Sequence, residues 1–211
     1  PLLRNRPTLV NAAFQTKFFY DNRVSLFEGQ LNEVVHSKEE MNGSLVQSVP
    51  ELKKIDEYQL LFHKAYPNEA EPVTTYTIIN ALSSYIRTLI SLNSRFDKYM
   101  RGDESKLSAS EKNGFNLFAG KAKCATCHFI PLFNGLLPPV FNDTESEVLG
   151  VPSDNSKRNA FLDKDSGRYG FTKSRIHKYA FKTPTLRNIE LTAPYMHNGV
   201  YTTLEEVMEF Y

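Results

Sequence analysis

The stretch that most constrains this chain is Cys124-Ala-Thr-Cys127-His128, which contains both of its cysteines. A cysteine pair at this spacing with a histidine directly after it can be a metal clip, a redox dithiol or the attachment site of a haem. Zinc needs about four ligands, and the other histidines fall at no finger-like spacing from the pair. A thioredoxin-like dithiol needs a surrounding α/β pattern, which the sequence lacks.

C-x-x-C-H is, in contrast, the attachment signature of c-type haem. One helical turn sets the sulfurs of Cys124 and Cys127 along one porphyrin edge, and it places His128 to coordinate the iron. The ligand on the opposite face decides between electron transfer and catalysis. The sequence offers four candidates for it, Met196, His197, Met208 and Tyr211.

Composition narrows the class of protein. The chain has 211 residues, of which 41% are hydrophobic and 23% charged, and its net charge is +1. This is typical of a soluble globular protein and gives no reason to expect a nucleic-acid partner or a transmembrane segment. The first residues lack the apolar core of a signal peptide, and both ends look cut, so we expect a piece of a longer polypeptide.

The hydrophobic pattern predicts a mainly α fold. Residues 46–66 and 74–100 carry apolar positions at helical spacing. A capping box at residues 108–111 opens a helix that leads into Cys124, and residues 200–211 form the last helix. Residues 129–176 are expected to be mostly loop, and no convincing alternating strand is present.

A short repeat predicts duplicated structural units. Residues 7–11 read PTLVN and residues 184–188 read PTLRN, an offset of 177. Since the second motif follows an attachment site, the first unit should have its own site upstream of Pro7. We therefore expect two cytochrome c-like haem domains related by internal duplication, the N-terminal one incomplete in this chain.

The expected division of the chain has three parts. Residues 1–72 are the remainder of the N-terminal haem domain, and residues 73–107 are an inter-domain helix and linker. Residues 108–211 are the C-terminal c-type haem domain, which can pack against parts of the first.

Several longer motifs carry a family resemblance. They are RNRPTLVNAAFQTKFFYDNR (4–23), Glu40-Met41, NSRFDKYMRGD (93–103), GFNLFAGKAKCATCH (114–128) and FKTPTLRNIELTAPYMHNGVYTTLEEVMEFY (181–211). With these motifs the chain resembles bacterial di-haem cytochrome c peroxidases and the related MauG-like enzymes. The resemblance implies a peroxide-reducing N-terminal haem, a C-terminal haem that takes in or stores electrons, and a calcium ion between them.

The resemblance also assigns roles to residues around the two haems. Cys124, Cys127 and His128 match the attachment residues and the iron ligand of the C-terminal haem. Gln30 and Glu40 match polar residues of the distal pocket of the peroxidatic haem, where Glu40 would be the general acid and base for peroxide.

Three further residues match the calcium site of the family. These are Asn5, through its side-chain oxygen, and Thr192 and Pro194, through their carbonyls. Oxygen-only ligation suits calcium.

The position of the second iron ligand, fourteen residues after His197, is Tyr211. The resemblance implies tyrosine there in MauG-like members and methionine in the peroxidases, and Met208, one turn earlier, is the fallback ligand. A tyrosinate would lower the reduction potential, whereas a thioether would raise it. For His197 itself, a structural role in a loop is favoured over ligation, because an Asn-Gly turn follows.

One position departs from the family, and the partner of a residue at another position stays open. The family has an inter-haem tryptophan, but the chain contains no tryptophan, and Tyr20 stands at that position on the electron path. Arg187 replaces Val10 of the first repeat and is either a partner of a haem propionate or half of a salt bridge to a carboxylate.

The resemblance implies a periplasmic or otherwise extracytoplasmic enzyme that reduces hydrogen peroxide to water. Its electrons would come from a small protein of the cytochrome c or cupredoxin type, and it can be a homodimer. Two alternatives remain open, a MauG-like oxidase that modifies a protein or small substrate, and a non-catalytic electron-transfer cytochrome subunit. The expected cofactors are one haem c on this chain, a second upstream of Pro1, and Ca²⁺.

Overall fold

The computed structural model describes residues 2–156 and 158–211. It is mainly helical, as the sequence predicts. The helices are α1 (Phe27–His36), α2 (Leu45–Lys53), α3 (Asp56–Ala65), α4 (Thr75–Arg87), α5 (Arg95–Met100), α6 (Ala109–Ala119), α7 (Tyr169–Thr172) and α8 (Leu204–Phe210), and the strands are β1 (Ser146–Val148) and β2 (Ala180–Lys182). Within these residues, no helix combines the length and the apolarity needed to cross a bilayer.

Both of the long predicted helices are interrupted. Between α2 and α3, Ile55 takes an extended conformation, and α3 begins afresh with Asp56 and Glu57 in its first turn. After α4 ends, α5 begins behind Ser94, which forms a reciprocal capping box with Asp97. In both cases the apolar spacing continues across the break, so periodicity alone does not reveal it.

The expectation that strands are absent is wrong. Strands β1 and β2 pair antiparallel, with Ser146 opposite Lys182 and Val148 opposite Ala180. Each strand has only three residues, which is too short to produce a detectable alternation of apolar and polar side chains.

The N-terminal half is built around α1, α2, α3 and α4. One buried cluster consists of Val35, Leu45, Phe62, Val73, Ile78 and Ile79. A second consists of Ala12, Phe18, Phe27 and Ile86, so α1 and α4 contribute to both. These clusters hold the segment that leads from Asn5 to Tyr20 against the helices.

The two PTL-x-N motifs sit in matching local structure. Asn11 and Asn188 are both left-handed, and each precedes a three-residue 3₁₀ helix. Further along, the antiparallel bridge Phe18–Val24 has its counterpart in Tyr195–Tyr201. Positive φ angles recur at the same offset, at Phe19 and Met196 and at Asn22 and Gly199.

Candidate functional site

The two cysteines lie in a tight turn directly after α6. Helix α6 is held at its start by a capping box between Ser108 and Glu111. After the helix, Lys123 adopts a left-handed conformation, and a 3₁₀ turn over Cys124–Thr126 follows. Both cysteines are half-buried free thiols. The turn therefore offers two unpaired sulfurs next to His128.

The His128 ring is oriented by two backbone carbonyls. Its Nδ1 lies 3.1 Å from the carbonyl oxygen of Phe133 and 3.2 Å from that of Pro184. Since carbonyls only accept hydrogen bonds, Nδ1 carries the proton and donates it, which leaves the Nε2 lone pair available for a metal. Burial lowers the pKa of His128 and so favours the neutral ring that a metal needs.

An aromatic cluster connects α5 and α6 with Phe133, whose carbonyl contacts His128. Phe96 packs edge-on against Phe115 and Phe133, with ring centroids 5.0 Å apart in each pair. Phe118 also packs on Phe133, at 5.5 Å. Helix α6, which supplies Phe115 and Phe118, has no fully buried residue. Its apolar side chains thus have surface left to bury against a large apolar group.

Tyr211, directly after α8, belongs to the same region. Its pKa is raised by burial and by the charges of Cys127, Cys124 and Glu147. The side chain is nevertheless 67% exposed, as Met208 is at 62%. Helix α8, like α6, has no fully buried residue.

Polar atoms near the turn lack partners. Oε2 of Glu145 and Oγ1 of Thr183 are buried without a hydrogen bond. A Cβ at Gly135 would meet the Cβ of Thr183 at 3.0 Å and the carbonyl oxygen of Glu145 at 3.2 Å, so a side chain here would push these neighbours apart. The free thiols, the oriented imidazole, the aromatic wall and these polar atoms together fit a c-type haem.

Comparison with known proteins agrees with this chemistry. The family model of di-haem cytochrome c peroxidase matches residues 1–105. A methylamine utilization protein MauG from Methylorubrum extorquens is 35% identical over the whole chain, which covers 55% of that protein. The chain belongs to the di-haem cytochrome c peroxidase and MauG-like family.

Two other members extend the comparison. A cytochrome-c peroxidase IdrP2 from Denitromonas iodatirespirans is 31% identical over 99% of the chain and 60% of that protein. A crystal structure of a MauG-like protein associated with microbial copper homeostasis superposes with a TM-score of 0.86 at 28% identity, covering 99% of this chain and 62% of that one. The chain thus spans about 55–60% of the length of these curated relatives.

Arg187, which the sequence analysis left between two partners, forms the salt bridge. Its NH1 and NH2 lie 3.0 and 2.6 Å from the Asp97 carboxylate oxygens, and NH2 also donates to the Pro131 carbonyl at 2.6 Å. The guanidinium holds the pKa of Asp97 well below its usual range. These bonds tie α5 to the PTLRN motif, and a role of Arg187 toward a haem propionate stays a prediction.

His197 has the surroundings of a structural residue. It is buried, stacks on Phe181 with ring centroids 3.7 Å apart, and its Nε2 lies 3.3 Å from Asp163 Oδ1. Asn198 donates to the other oxygen of Asp163 at 3.1 Å. These contacts tie the Met-His-Asn-Gly loop to the preceding segment, in agreement with the interpretation favoured from sequence.

The residues matched to the family's calcium site lie close together in part. The Asn5 side-chain amide donates to the Pro194 carbonyl, and its backbone N–H donates to the His197 carbonyl at 2.6 Å. Thr192 precedes Pro194 by two residues, and its hydroxyl bonds to Ile189. The Asn5 side-chain oxygen accepts a hydrogen bond of 2.8 Å from the backbone N–H of Arg6, so the amide nitrogen, and not the oxygen, faces the Pro194 carbonyl.

Tyr20 is buried and is fixed through its backbone. Burial raises the pKa of its phenol to about 12, so the side chain is neutral in the resting protein. Its carbonyl accepts a hydrogen bond of 2.7 Å from the backbone N–H of Lys182 in β2. Thus Tyr20 is hydrogen-bonded to a residue only two positions before Pro184, whose carbonyl orients His128.

The two candidate catalytic residues are placed differently. Gln30 is half-buried on α1, whereas Glu40 is exposed in the turn that follows this helix. Among the hydrogen bonds of residues 2–156 and 158–211, none joins them. The structure also brings one oxygen each of Glu145 and Glu147 within 4.8 Å of the Sγ of Cys127, which nothing in their spacing predicts.

Proposed function

We propose that this chain carries the electron-transfer haem of a di-haem c-type peroxidase, attached through Cys124 and Cys127. The observation that carries the proposal is the geometry of His128, whose Nδ1 is bound by two carbonyls, while no hydrogen bond joins Nε2 to any of residues 2–156 and 158–211, and the unpaired thiol of Cys127 is on the preceding residue. A haem bound there would supply reversible storage of one electron. The role of the protein is to keep the imidazole neutral and in one orientation.

Tyr211 would be the second protein ligand of this iron, with Met208 as the fallback. Support comes from its electrostatic contact with both cysteines and from its exposure at the end of α8. Two protein ligands would close this iron to peroxide, so this haem is assigned to electron transfer.

The peroxide reaction is assigned to a second haem attached upstream of Pro1, in the N-terminal unit of an internal duplication. The matching bridges and left-handed residues at an offset of 177 support the duplication. At this offset, Val34 on α1 stands where Tyr211 stands in the second unit. An alkyl side chain cannot ligate iron, so the corresponding face of the first haem would stay open to hydrogen peroxide.

The remaining assignments follow from the family. Glu40, with Gln30 beside the open haem, would move the protons of peroxide, since a carboxyl group can act as general acid and base. Tyr20 would lie on the electron path between the haems. Calcium bound by Asn5, Thr192 and Pro194 would fix the N-terminal segment to the C-terminal unit.

The proposed surroundings are those of related peroxidases. The full protein would be periplasmic or otherwise extracytoplasmic, take electrons from a small cytochrome c or cupredoxin, and reduce hydrogen peroxide to water. A homodimer is compatible with this function.

A haem count on the full-length protein tests the proposal. Alkaline pyridine spectroscopy should give two haems per chain, and peroxide should oxidise a reduced small cytochrome in its presence. One haem per chain and no peroxide turnover would overturn the di-haem peroxidase and leave an electron-transfer subunit.

Tyr211 favours a second candidate function, that of a MauG-like oxidase acting on a protein or small substrate. A hard anionic ligand stabilises ferric and higher oxidation states, which such an oxidase must hold. The variant Tyr211→Met separates the two. If its ferric spectrum stays unchanged while peroxide turnover with a reduced cytochrome rises, tyrosine does not ligate the iron and this candidate loses its support.

A further inference from the structure

We propose that Thr185, assisted by Arg187, positions His128 as the iron ligand of the attached haem. The proposal rests on the haem attachment proposed above, and it names the side chains that set the orientation of the imidazole. Both side chains act through the backbone of residues 131–133, so they are positioning residues and not ligands of the iron.

The Phe133 carbonyl is the group through which this loop acts on the imidazole. Its oxygen accepts a hydrogen bond from Nδ1 of His128 at 3.1 Å and another from the backbone N–H of Leu186 at 3.0 Å. A carbonyl oxygen has two lone pairs, so these two donors use both of them. The position of Phe133 therefore determines the length and direction of its bond to the imidazole.

Phe133 has a backbone conformation that needs support from its surroundings. Its φ angle is 53°, in the left-handed region that is unfavourable for a bulky aromatic residue. A residue persists in such a conformation only where neighbouring contacts fix it. The loop over residues 131–133 must therefore be held by other parts of the fold.

Thr185 provides one of these contacts, on the residue directly before Phe133. Its hydroxyl donates a hydrogen bond of 2.5 Å to the Leu132 carbonyl, and its Oγ1 accepts one of 3.2 Å from the backbone N–H of Arg187. Leu132 is buried, and a buried acceptor that loses its donor is costly. Loss of this hydroxyl would therefore favour a shift of the loop.

Arg187 provides a second contact on the same loop. Its Nε donates to the Pro131 carbonyl at 3.0 Å, and the salt bridge to Asp97 fixes the other side of the guanidinium. With the bonds from Thr185 and Leu186, three successive residues of the PTLRN motif hold the three successive carbonyls of residues 131–133. The motif thus clasps the whole segment that leads to Phe133.

The first PTL-x-N motif shows which part of this clasp is common to both motifs. Oγ1 of Thr8 accepts a hydrogen bond of 3.1 Å from the backbone N–H of Val10, the same turn that Thr185 forms with Arg187. The hydroxyl turn is present in both motifs, whereas the guanidinium belongs to the second alone. Thr185 is therefore the residue to vary, because its substitution leaves the salt bridge of Arg187 in place.

The hydrogen bonds of Nδ1 influence how strongly the imidazole binds iron. Donating a hydrogen bond from Nδ1 to a carbonyl raises the basicity of the ring. A more basic ligand favours the ferric over the ferrous state, because ferric iron carries one more positive charge. A shift of Phe133 away from His128 weakens this bond, so loss of the Thr185 hydroxyl should raise the midpoint potential.

The test is the midpoint potential of this haem, measured on the full-length holoprotein by spectroelectrochemistry. The haem is identified as the one missing from the variant in which both Cys124 and Cys127 are replaced by serine. Outer-shell partners of a metal ligand change metal affinity by about tenfold or more. Thr185→Val and Thr185→Ala, which both lack the hydroxyl, should therefore raise the potential by about 59 mV, the equivalent of tenfold for one electron. Thr185→Ser keeps the hydroxyl and should retain the wild-type potential.

Thr88→Val is the matched control, since the Thr88 hydroxyl donates a hydrogen bond of 2.6 Å to the Tyr85 carbonyl at the end of α4. It removes the same kind of bond and should keep the wild-type potential. A wild-type potential in both hydroxyl-free variants at Thr185, or an equal rise in Thr88→Val, would overturn the inference while leaving the attached haem in place. Absence of haem from residues 124–128 of the wild type would overturn both the inference and the proposed function.

Discussion

Nδ1 of His128 lies 3.2 Å from the carbonyl oxygen of Pro184, which is 56 residues further along the chain. Pro184 opens the PTLRN motif, so this contact joins the two most distinctive motifs of the sequence. It also gives the second motif a physical role. The motif holds the imidazole in one tautomer and one orientation, through an acceptor that side-chain substitution cannot remove.

Replacing His128 by alanine should remove the iron ligand without removing the haem. Cys124 and Cys127 still provide both thioether bonds, so the haem count of residues 124–128 should be unchanged while the ferric and ferrous spectra change. The measurement is the absorption spectrum of the purified holoprotein, and His63→Ala, exposed on α3, is the control. A wild-type spectrum in His128→Ala would mean that another residue ligates the iron.

Arg187→Met should destabilise the protein strongly. The guanidinium is 9% and the Asp97 carboxylate 8% exposed, so the variant leaves Asp97 charged and unpaired, at a cost of about 3–5 kcal/mol. Arg95→Ala breaks an exposed pair with Glu111 and should cost under about 1 kcal/mol. Denaturant unfolding gives the free energy of unfolding of both variants. Similar losses in the two would contradict the distinction between a buried and an exposed ion pair.

The same pair predicts a response to acid. The pKa of Asp97 is lowered in the folded state, chiefly by its hydrogen bonds with Arg187. Its contribution to stability is therefore complete above the ordinary aspartate pKa of about 4 and is lost as the pH falls further. The free energy of unfolding below pH 4 should fall less steeply in the double variant Asp97→Asn/Arg187→Met than in the wild type.

Lys182 predicts the opposite response in alkali. Burial lowers its pKa from 10.5 to about 8, so between these values the unfolded chain binds more protons than the folded one. This lysine consequently adds stability as the pH rises from about 8 to 10.5. Lys182→Met should remove that rise in melting temperature, whereas the exposed Lys121→Met should keep it. An unchanged profile in Lys182→Met would show that the amine keeps its ordinary pKa.

Calcium should stabilise the holoprotein through Asn5. Adding Ca²⁺ is expected to raise the melting temperature, and a chelator should lower it, because the ion would join Asn5 to Pro194 across the two halves of the chain. Asn5→Ala should abolish the calcium-dependent shift, whereas Asn68→Ala, in an exposed turn, should preserve it. A full shift in Asn5→Ala would exclude this position as a ligand.

Local patterns in the sequence predict much of this structure. The mainly α class follows from apolar spacing, and the start of α6 follows from its capping box. The interruptions at Ile55 and before Ser94 do not follow from the apolar spacing, which runs through them, and the capping box of Ser94 and Asp97 is the local signal that marks the second one. The strand pair β1 and β2 joins residues more than thirty positions apart, and so has no local signature.

The site likewise combines residues that the sequence predicts with contacts that it does not predict. The spacing from Cys124 to His128 predicts the proposed attachment residues, but the partner of Arg187 is Asp97, ninety positions earlier. The pairing of Glu145 with Glu147 next to Cys127 arises from the fold of the loop after the attachment turn. Charges that meet only through tertiary structure cannot be paired from spacing in the sequence.

The most direct test of the central claim is a map of the covalent haem on the full-length protein, produced with c-type haem maturation. Proteolysis and mass spectrometry should find one haem on the peptide that contains Cys124, Cys127 and His128, and the variant with both cysteines replaced by serine should lack it. An unmodified peptide from the matured wild-type protein would contradict the account.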